Sequence, residues 1–139
     1  MKSLIVCTHG VSGIEMVKSA EMICGKQENV EEIGFLEGES LEELKQKFDE
    51  ALNKLDRSKG VYIFLDIQGG TPFNVAYNYL NGSDEFALYT GVNIPMLIEF
   101  FVSRNTLNQN ELASQIVDSA RNSISLFNQI NTAVEDEEF

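Results

Sequence analysis

Short apolar runs alternate with longer amphipathic stretches along this chain. Residues 2–8, centred on Leu4-Ile5-Val6-Cys7, read as a buried strand. Residues 11–24 carry Val11, Ile14, Val17, Ala20 and Ile23 or Cys24 at helical spacing, and Gly25 is placed to end that helix. Val30 to Leu36 read as a second strand. Ser40-Leu41-Glu42-Glu43 is a capping-box pattern. It opens a helix with Leu41, Leu44, Phe48, Leu52 and Leu55 on one face, broken by Gly60. Val61-Tyr62-Ile63-Phe64-Leu65 is apolar throughout, as a central parallel strand should be. Thr71-Pro72 looks like an N-cap followed by proline at the first helical position, with the helix running to Leu80. Phe86 to Thr90 form a fourth strand. Ile94-Pro95 opens a helix over Met96 to Ser103, and Asn108 with Glu111 caps a last one reaching Ser123. Residues 124–130 fit either a continuation of that helix or a short strand.

Four strands alternating with helices predict an α/β fold: an open, mainly parallel four-stranded sheet with right-handed crossovers and helices on both faces. The 139 residues suffice for one domain with a core and are too few for two. Residues 1–130 are expected to form that domain. Residues 131–139 are expected to be a disordered acidic tail, because Glu135-Asp136-Glu137-Glu138 cannot build a core. The first apolar run is too short for a signal peptide, and no stretch approaches the ~18 apolar residues of a membrane span. Cys7 and Cys24 lie in apolar settings that favour buried, reduced thiols. These features point to a cytoplasmic protein. The net charge of −12 argues against nucleic acid and against an anionic membrane surface, since both need a cationic face. It suits a protein partner with a basic patch.

The single histidine, His9, sits at the exit of the first strand. Ligands of open α/β proteins bind outside the carboxyl ends of the strands. Three exits bear suggestive residues: Thr8-His9-Gly10, Asp66 to Asn74, and Gly91-Val92-Asn93-Ile94-Pro95. A parallel sheet brings all three to one edge, where they can form one pocket. His9 can serve there as acid–base residue, metal ligand or nucleophile. A metal site needs further ligands, and there is no second histidine. Asp66 can accept Nδ1–H from His9, fix its tautomer and leave Nε2 with a free lone pair. Gly69-Gly70-Thr71-Pro72 supplies flexible backbone, a hydroxyl and a helix N-terminus, the parts of a one-phosphate cradle. No GxxxxGK[ST] or GxGxxG motif is present, so no nucleotide site is expected. A histidine nucleophile with such a cradle suggests a phosphoryl relay.

Val6-Cys7-Thr8-His9-Gly10, Leu65-Asp66-Ile67-Gln68-Gly69-Gly70-Thr71-Pro72-Phe73-Asn74 and Gly91-Val92-Asn93-Ile94-Pro95-Met96-Leu97 resemble, in residues and spacing, the three signature segments of the mannose-family enzyme IIA of the bacterial sugar phosphotransferase system. The resemblance runs to residue 125. Some members carry tryptophan where this chain has Gln68. The resemblance implies that His9 accepts a phosphoryl group from the histidine phosphocarrier protein HPr and passes it to a IIB component for sugar uptake. Asp66 would orient His9 and Thr71 would contact the phosphoryl group, with Gly10, Gly69 and Gly70 supplying backbone around it. No metal or cofactor is required in this scheme. The association with the membrane transporter would be indirect. Because the chain ends soon after the IIA-like region, IIB is expected to be a separate protein.

Two other readings stand beside this one: the phosphotransfer subunit of a dihydroxyacetone kinase system, and a non-catalytic regulatory or anion-binding module on the same fold. A homodimer is also expected. Ile94 to Val102 is apolar on more than one helical face and needs cover on both sides. Members of the resembled family exchange a C-terminal strand that pairs antiparallel with the partner's sheet, and residues 124–130 are the candidate for that strand.

Overall fold

The computed structural model describes residues 1–128. In chain order the elements are β1 (Ser3–His9), α1 (Ser12–Cys24), β2 (Val30–Phe35), α2 (Leu41–Lys54), β3 (Val61–Leu65), α3 (Gly70–Leu80), β4 (Phe86–Tyr89), α4 (Ile94–Ser103) and α5 (Gln109–Asn122). The strands form one sheet in the order β2-β1-β3-β4, and every pairing is parallel. Alternation along the two central strands divides the core. Leu4, Val6, Tyr62 and Phe64 face α1, α4 and α5 with Val17, Leu97, Phe100 and Ile116. Ile5, Cys7, Ile63 and Leu65 face α2 and α3 with Leu44, Phe48, Leu52 and Val75. Both faces of β1 and β3 are therefore buried, which explains their continuous apolar sequence.

The helix boundaries have local causes. Ser40 accepts from the Glu43 N–H and Glu43 accepts from the Ser40 N–H, closing the capping box of α2. Asn108 and Glu111 do the same for α5. Asn93 caps α4 by accepting from the Met96 N–H at 2.9 Å.

Three expectations change. Thr71 is not the cap of α3. The helix starts at Gly70 with Gly69 in the cap position and no side-chain cap bond. Both glycines have positive φ, +80° and +83°, a turn that delivers the chain into the helix before Thr71. Cys24 is half-buried, whereas Cys7 is buried, and both are free thiols. Burial pushes the Cys7 thiol up to about 12, so it is inert at neutral pH. The apolar girth of α4 is largely covered from within the chain. Met96, Leu97, Phe100 and Phe101 are buried and Ile94 and Ile98 pack at the margin, leaving Val102 exposed.

Within residues 124–130, the described part up to Asn128 forms neither helix nor strand, and Ile124, Leu126 and Phe127 are exposed. The acidic tail at 131–139 lies outside the described residues. Among the described residues no helix is long and apolar enough to cross a membrane.

A buried arginine ties the chain's beginning to α4. Arg104 is 2% exposed and donates to the carbonyls of Lys2 and Glu28 and to Gln27 Oε1, at 2.7–3.0 Å. Its guanidinium lies over Phe100 and Phe101. Lys2 reciprocates, donating to the carbonyls of Arg104 and Leu107. Arg104→Ala should lower stability by about 3 kcal/mol, because it strands buried carbonyls and opens a cavity. Urea unfolding is the measurement. A loss below about 0.5 kcal/mol, the level of ordinary surface substitutions, would show this clasp to be dispensable.

Candidate active site

The connection from β1 leaves through α1 on one face of the sheet, and that from β3 leaves through α3 on the other. The two strands are adjacent, so their carboxyl ends part around a crevice at the topological switch point. His9 is the last residue of β1, and Asp66 directly follows β3. The sequence distance of 57 residues becomes direct contact.

Asp66 holds His9 twice through one oxygen. Oδ2 accepts from the His9 backbone N–H at 2.9 Å and lies 2.8 Å from ring Nδ1. Oδ1 accepts from the Ile67 N–H at 2.9 Å. Burial raises the Asp66 carboxyl, but the hydrogen bonds from the His9 backbone, the His9 ring and the Ile67 backbone outweigh it and hold the group below the usual range. An ionised carboxylate only accepts, so Nδ1 carries the proton and Nε2 of the neutral ring has the lone pair. The His9 side chain is 47% exposed and that of Asp66 23%. The ring thus reaches solvent while its anchor stays sheltered. Phe35 meets the ring edge-on with centroids 5.9 Å apart.

Gly70 passes close to the free nitrogen. A Cβ added to it would stand 3.5 Å from Cε1 and 3.7 Å from Nε2 of His9. The N–H groups of Gly70 and Thr71 lie in the first turn of α3, where backbone donors lack intrahelical acceptors. The structure therefore brings His9, Asp66 and Gly70 together, with Gly69 and Thr71 flanking Gly70 in the chain. Gly10 differs. Its N–H donates to the Phe35 carbonyl at 2.8 Å, so it serves the turn after β1 and its amide is not open to a bound anion. The third exit acts as a brace. Gly91 N–H donates to the Asp66 carbonyl at 2.9 Å and Val92 N–H to the Leu65 carbonyl at 3.0 Å.

Three supporting residues, to which sequence reasoning gave no role, complete the site. Thr8 is fully buried, and its Oγ1 accepts from the Gly13 N–H at 2.8 Å and the Ser12 hydroxyl at 3.1 Å, fixing the start of α1 behind His9. Gly13 and Gly34 are steric requirements. A Cβ on Gly13 would meet Thr8 Cγ2 at 2.8 Å, and one on Gly34 would meet the Gly10 carbonyl oxygen at 2.6 Å. The signal for Gly34 was present, since a glycine inside a strand often marks close backbone approach.

Among the described residues no lysine or arginine bonds to His9 or Asp66. Nor does any group of three or more His, Cys, Asp or Glu stand where it could hold a metal ion. What the arrangement offers is a tautomer-fixed imidazole, with a nucleophilic nitrogen beside a helix N-terminus.

Comparison with known proteins identifies the family. Residues 3–117 match the EIIA-man family model, described as the PTS system fructose IIA component. The mannose-specific EIIAB component of Escherichia coli (strain K12) is 37% identical over 123 residues, 88% of this chain and 38% of that protein. The chain thus spans well under half the length of that relative. The fructose-specific EIIA component of Bacillus subtilis (strain 168) is 31% identical over 84% of this chain and 80% of its own length. The crystal structure of the EIIA component from Streptococcus agalactiae has a TM-score of 0.81 at 27% identity, covering 91% of this chain and 98% of that one. The PTS IIA protein associated with the fucose utilization operon of Streptococcus pneumoniae has a TM-score of 0.79 at 30% identity, covering 99% and 96%. With the family match running through all four strands and most of the helices, this chain belongs to the EIIA-man family of phosphotransferase-system IIA components.

Proposed function

We propose that the chain is a phosphoryl carrier of a sugar phosphotransferase system, with His9 as the phosphorylated residue. The observation that carries this reading is the double hold of Asp66 on His9, which commits Nδ1 and frees Nε2. The donor is HPr and the acceptor a IIB component. In the first transfer Nε2 forms a bond to phosphorus as the bond to the donor imidazole breaks. In the second, the roles reverse. Phosphoryl transfer of this kind is largely positioning plus charge stabilisation. Asp66 holds the productive tautomer and balances the positive charge that the ring gains. The first-turn amides of α3 at Gly70 and Thr71, with the Thr71 hydroxyl, receive the equatorial oxygens.

Because among the described residues no lysine or arginine bonds to His9 or Asp66, the partners supply positive charge. A chain of net charge −12 attracts basic partner surfaces and speeds encounter. Val11, Leu36 and Ile67 are exposed apolar side chains on the loops around His9, suited to exclude water when a partner docks. The same reading makes the protein cytoplasmic, associated with the membrane only through its transporter. Residues 1–130 act as one domain and 131–139 as an acidic tail.

We further propose a homodimer. β4 is an edge strand. A groove of about 510 Å³ runs beside it, lined by Leu88, Tyr89, Thr90, Ile116, Ala120 and Ile124. The exposed run Ile124, Leu126 and Phe127 of a second copy has the length and apolarity to lie there and cover the edge.

Five outcomes test these proposals. His9→Ala should take up no phosphate from phospho-HPr, and Asp66→Asn should fold yet transfer up to ~10⁴-fold more slowly, by analogy with the tautomer-fixing carboxylate of a protease triad. Acid-labile labelling of His9→Ala, or wild-type stopped-flow rates for Asp66→Asn, would remove those residues from the mechanism. Gly70→Ala should cost about 1–2 kcal/mol, since its φ is +83°, and should slow transfer because the methyl stands over Nε2. Unchanged transfer by a folded Gly70→Ala would show that nothing needs to occupy that space. Light scattering at micromolar concentration should give the dimer mass, and truncation after Asn122 should shift it toward monomer. A monomer mass for the intact chain refutes the dimer.

A further inference from the structure

Asp66 holds the His9 ring from one flank only. It follows β3, on one side of β1, and binds Nδ1. One hydrogen bond does not fix the tilt of an imidazole, because the torsion between Cβ and the ring is broad. Gly70 stands on the same flank and has no side chain to limit that tilt. With 47% of the side chain exposed, solvent does not limit it either.

The other flank has a wall. β2 pairs with β1 on the side away from β3, and Phe35 stands directly opposite His9 in the register. Paired residues of adjacent strands point to the same face of a sheet, here the face covered by α2 and α3. The Phe35 ring meets the imidazole edge-on, with 5.9 Å between centroids and 75° between planes. It is half-buried against the core of that face. The Phe35 carbonyl also accepts from the Gly10 N–H, so backbone and ring of one residue both bear on the end of β1.

Phe35 is the last residue of its strand, and an ion pair secures it there. Lys47 of α2 donates to the Gly34 carbonyl at 2.9 Å and to the Glu39 carboxylate at 2.7–2.9 Å. Glu39 Oε1 accepts in turn from the Leu36 N–H at 2.6 Å. Gly34 and Leu36 are the chain neighbours of Phe35, so one pair grips the backbone on both sides of it. The Glu39 side chain is 14% exposed and that of Lys47 34%. An ion pair near the surface adds little stability by itself. What this one adds is geometry, through its two backbone bonds.

We propose that Phe35, gripped by Glu39 and Lys47, is a positioning residue for phosphoryl transfer. Its ring stops the imidazole from tilting away from Asp66 toward β2, and so keeps Nε2 in line for attack. The proposal rests on the carrier reading of His9.

The test is single-turnover transfer from phospho-HPr to the full chain, followed over a range of phospho-HPr concentrations. Phe35→Leu should lower the saturating rate about tenfold, within what a small misplacement of a reacting group costs, and leave the half-saturating concentration unchanged. Phe35→Tyr, which keeps the ring, should restore most of the rate. Glu39→Gln should lower the saturating rate in the same way, and should add little when combined with Phe35→Leu, because both act through one ring. In the unphosphorylated protein, the His9 Nδ1 proton should exchange with water faster in Phe35→Leu than in the wild type. A wild-type saturating rate for Phe35→Leu overturns the proposal. So does a loss confined to the half-saturating concentration, which would make Phe35 a docking contact. If Phe35→Leu does not fold, Glu39→Gln decides by the same two readouts. If the wild-type chain takes up no phosphate, the carrier reading fails, and the exchange of the Nδ1 proton alone decides whether Phe35 positions the ring.

Discussion

One carboxylate oxygen organises the crevice at the carboxyl ends of the central strands. Asp66 Oδ2 accepts from both the backbone and the ring of His9, and so links the ends of two adjacent strands. The backbone bond fixes where β1 ends relative to β3. The ring bond fixes which imidazole nitrogen is available. A single contact could satisfy either requirement, but the double one makes ring orientation follow from strand register. Residues behind it keep that oxygen in place. Gly91 holds the Asp66 carbonyl and Ile67 holds the other carboxylate oxygen. Thr8 anchors the start of α1.

The surrounding structure is shaped by how little room this leaves. The turn after β1 brings the Gly10 carbonyl against β2, where only a glycine at Gly34 fits. The turn after β3 brings Gly70 beside the ring, at a φ that favours glycine. These two close approaches leave the crevice narrow in backbone and open toward solvent. A site of this kind suits a reaction whose second reactant is carried by another macromolecule. An enzyme that encloses a free substrate needs deeper walls.

Much of this was legible in the sequence. The strands were readable because β1 and β3 are buried on both faces and therefore continuously apolar. Capping boxes at Ser40 and Asn108 marked their helices because those caps are made by adjacent residues. His9 and Asp66 were legible because each follows an apolar strand, and parallel strands share an exit edge. What was hidden depended on contacts between distant segments. The start of α3 was misread because Thr71-Pro72 is a good local capping pair, while the observed boundary is set by two positive-φ glycines before it. The girth of α4 suggested an external partner because the sequence does not reveal that α1 and α5 flank it. The engagement of the Gly10 amide by Phe35, and the clasp of Arg104 on Lys2 and Glu28, join residues too far apart for any spacing rule.

The central claim is that Asp66 reserves Nε2 of His9 for chemistry. It is tested most directly by ¹⁵N NMR of the histidine-labelled chain before and after phosphorylation by phospho-HPr. The unphosphorylated ring should carry its proton on Nδ1, with Nε2 at the shift of an unprotonated nitrogen. The phosphorylated form should show phosphorus coupled to Nε2, with Nδ1 still protonated. Coupling of phosphorus to Nδ1 would contradict the account, because that nitrogen cannot bond to phosphorus and donate to Asp66 at once.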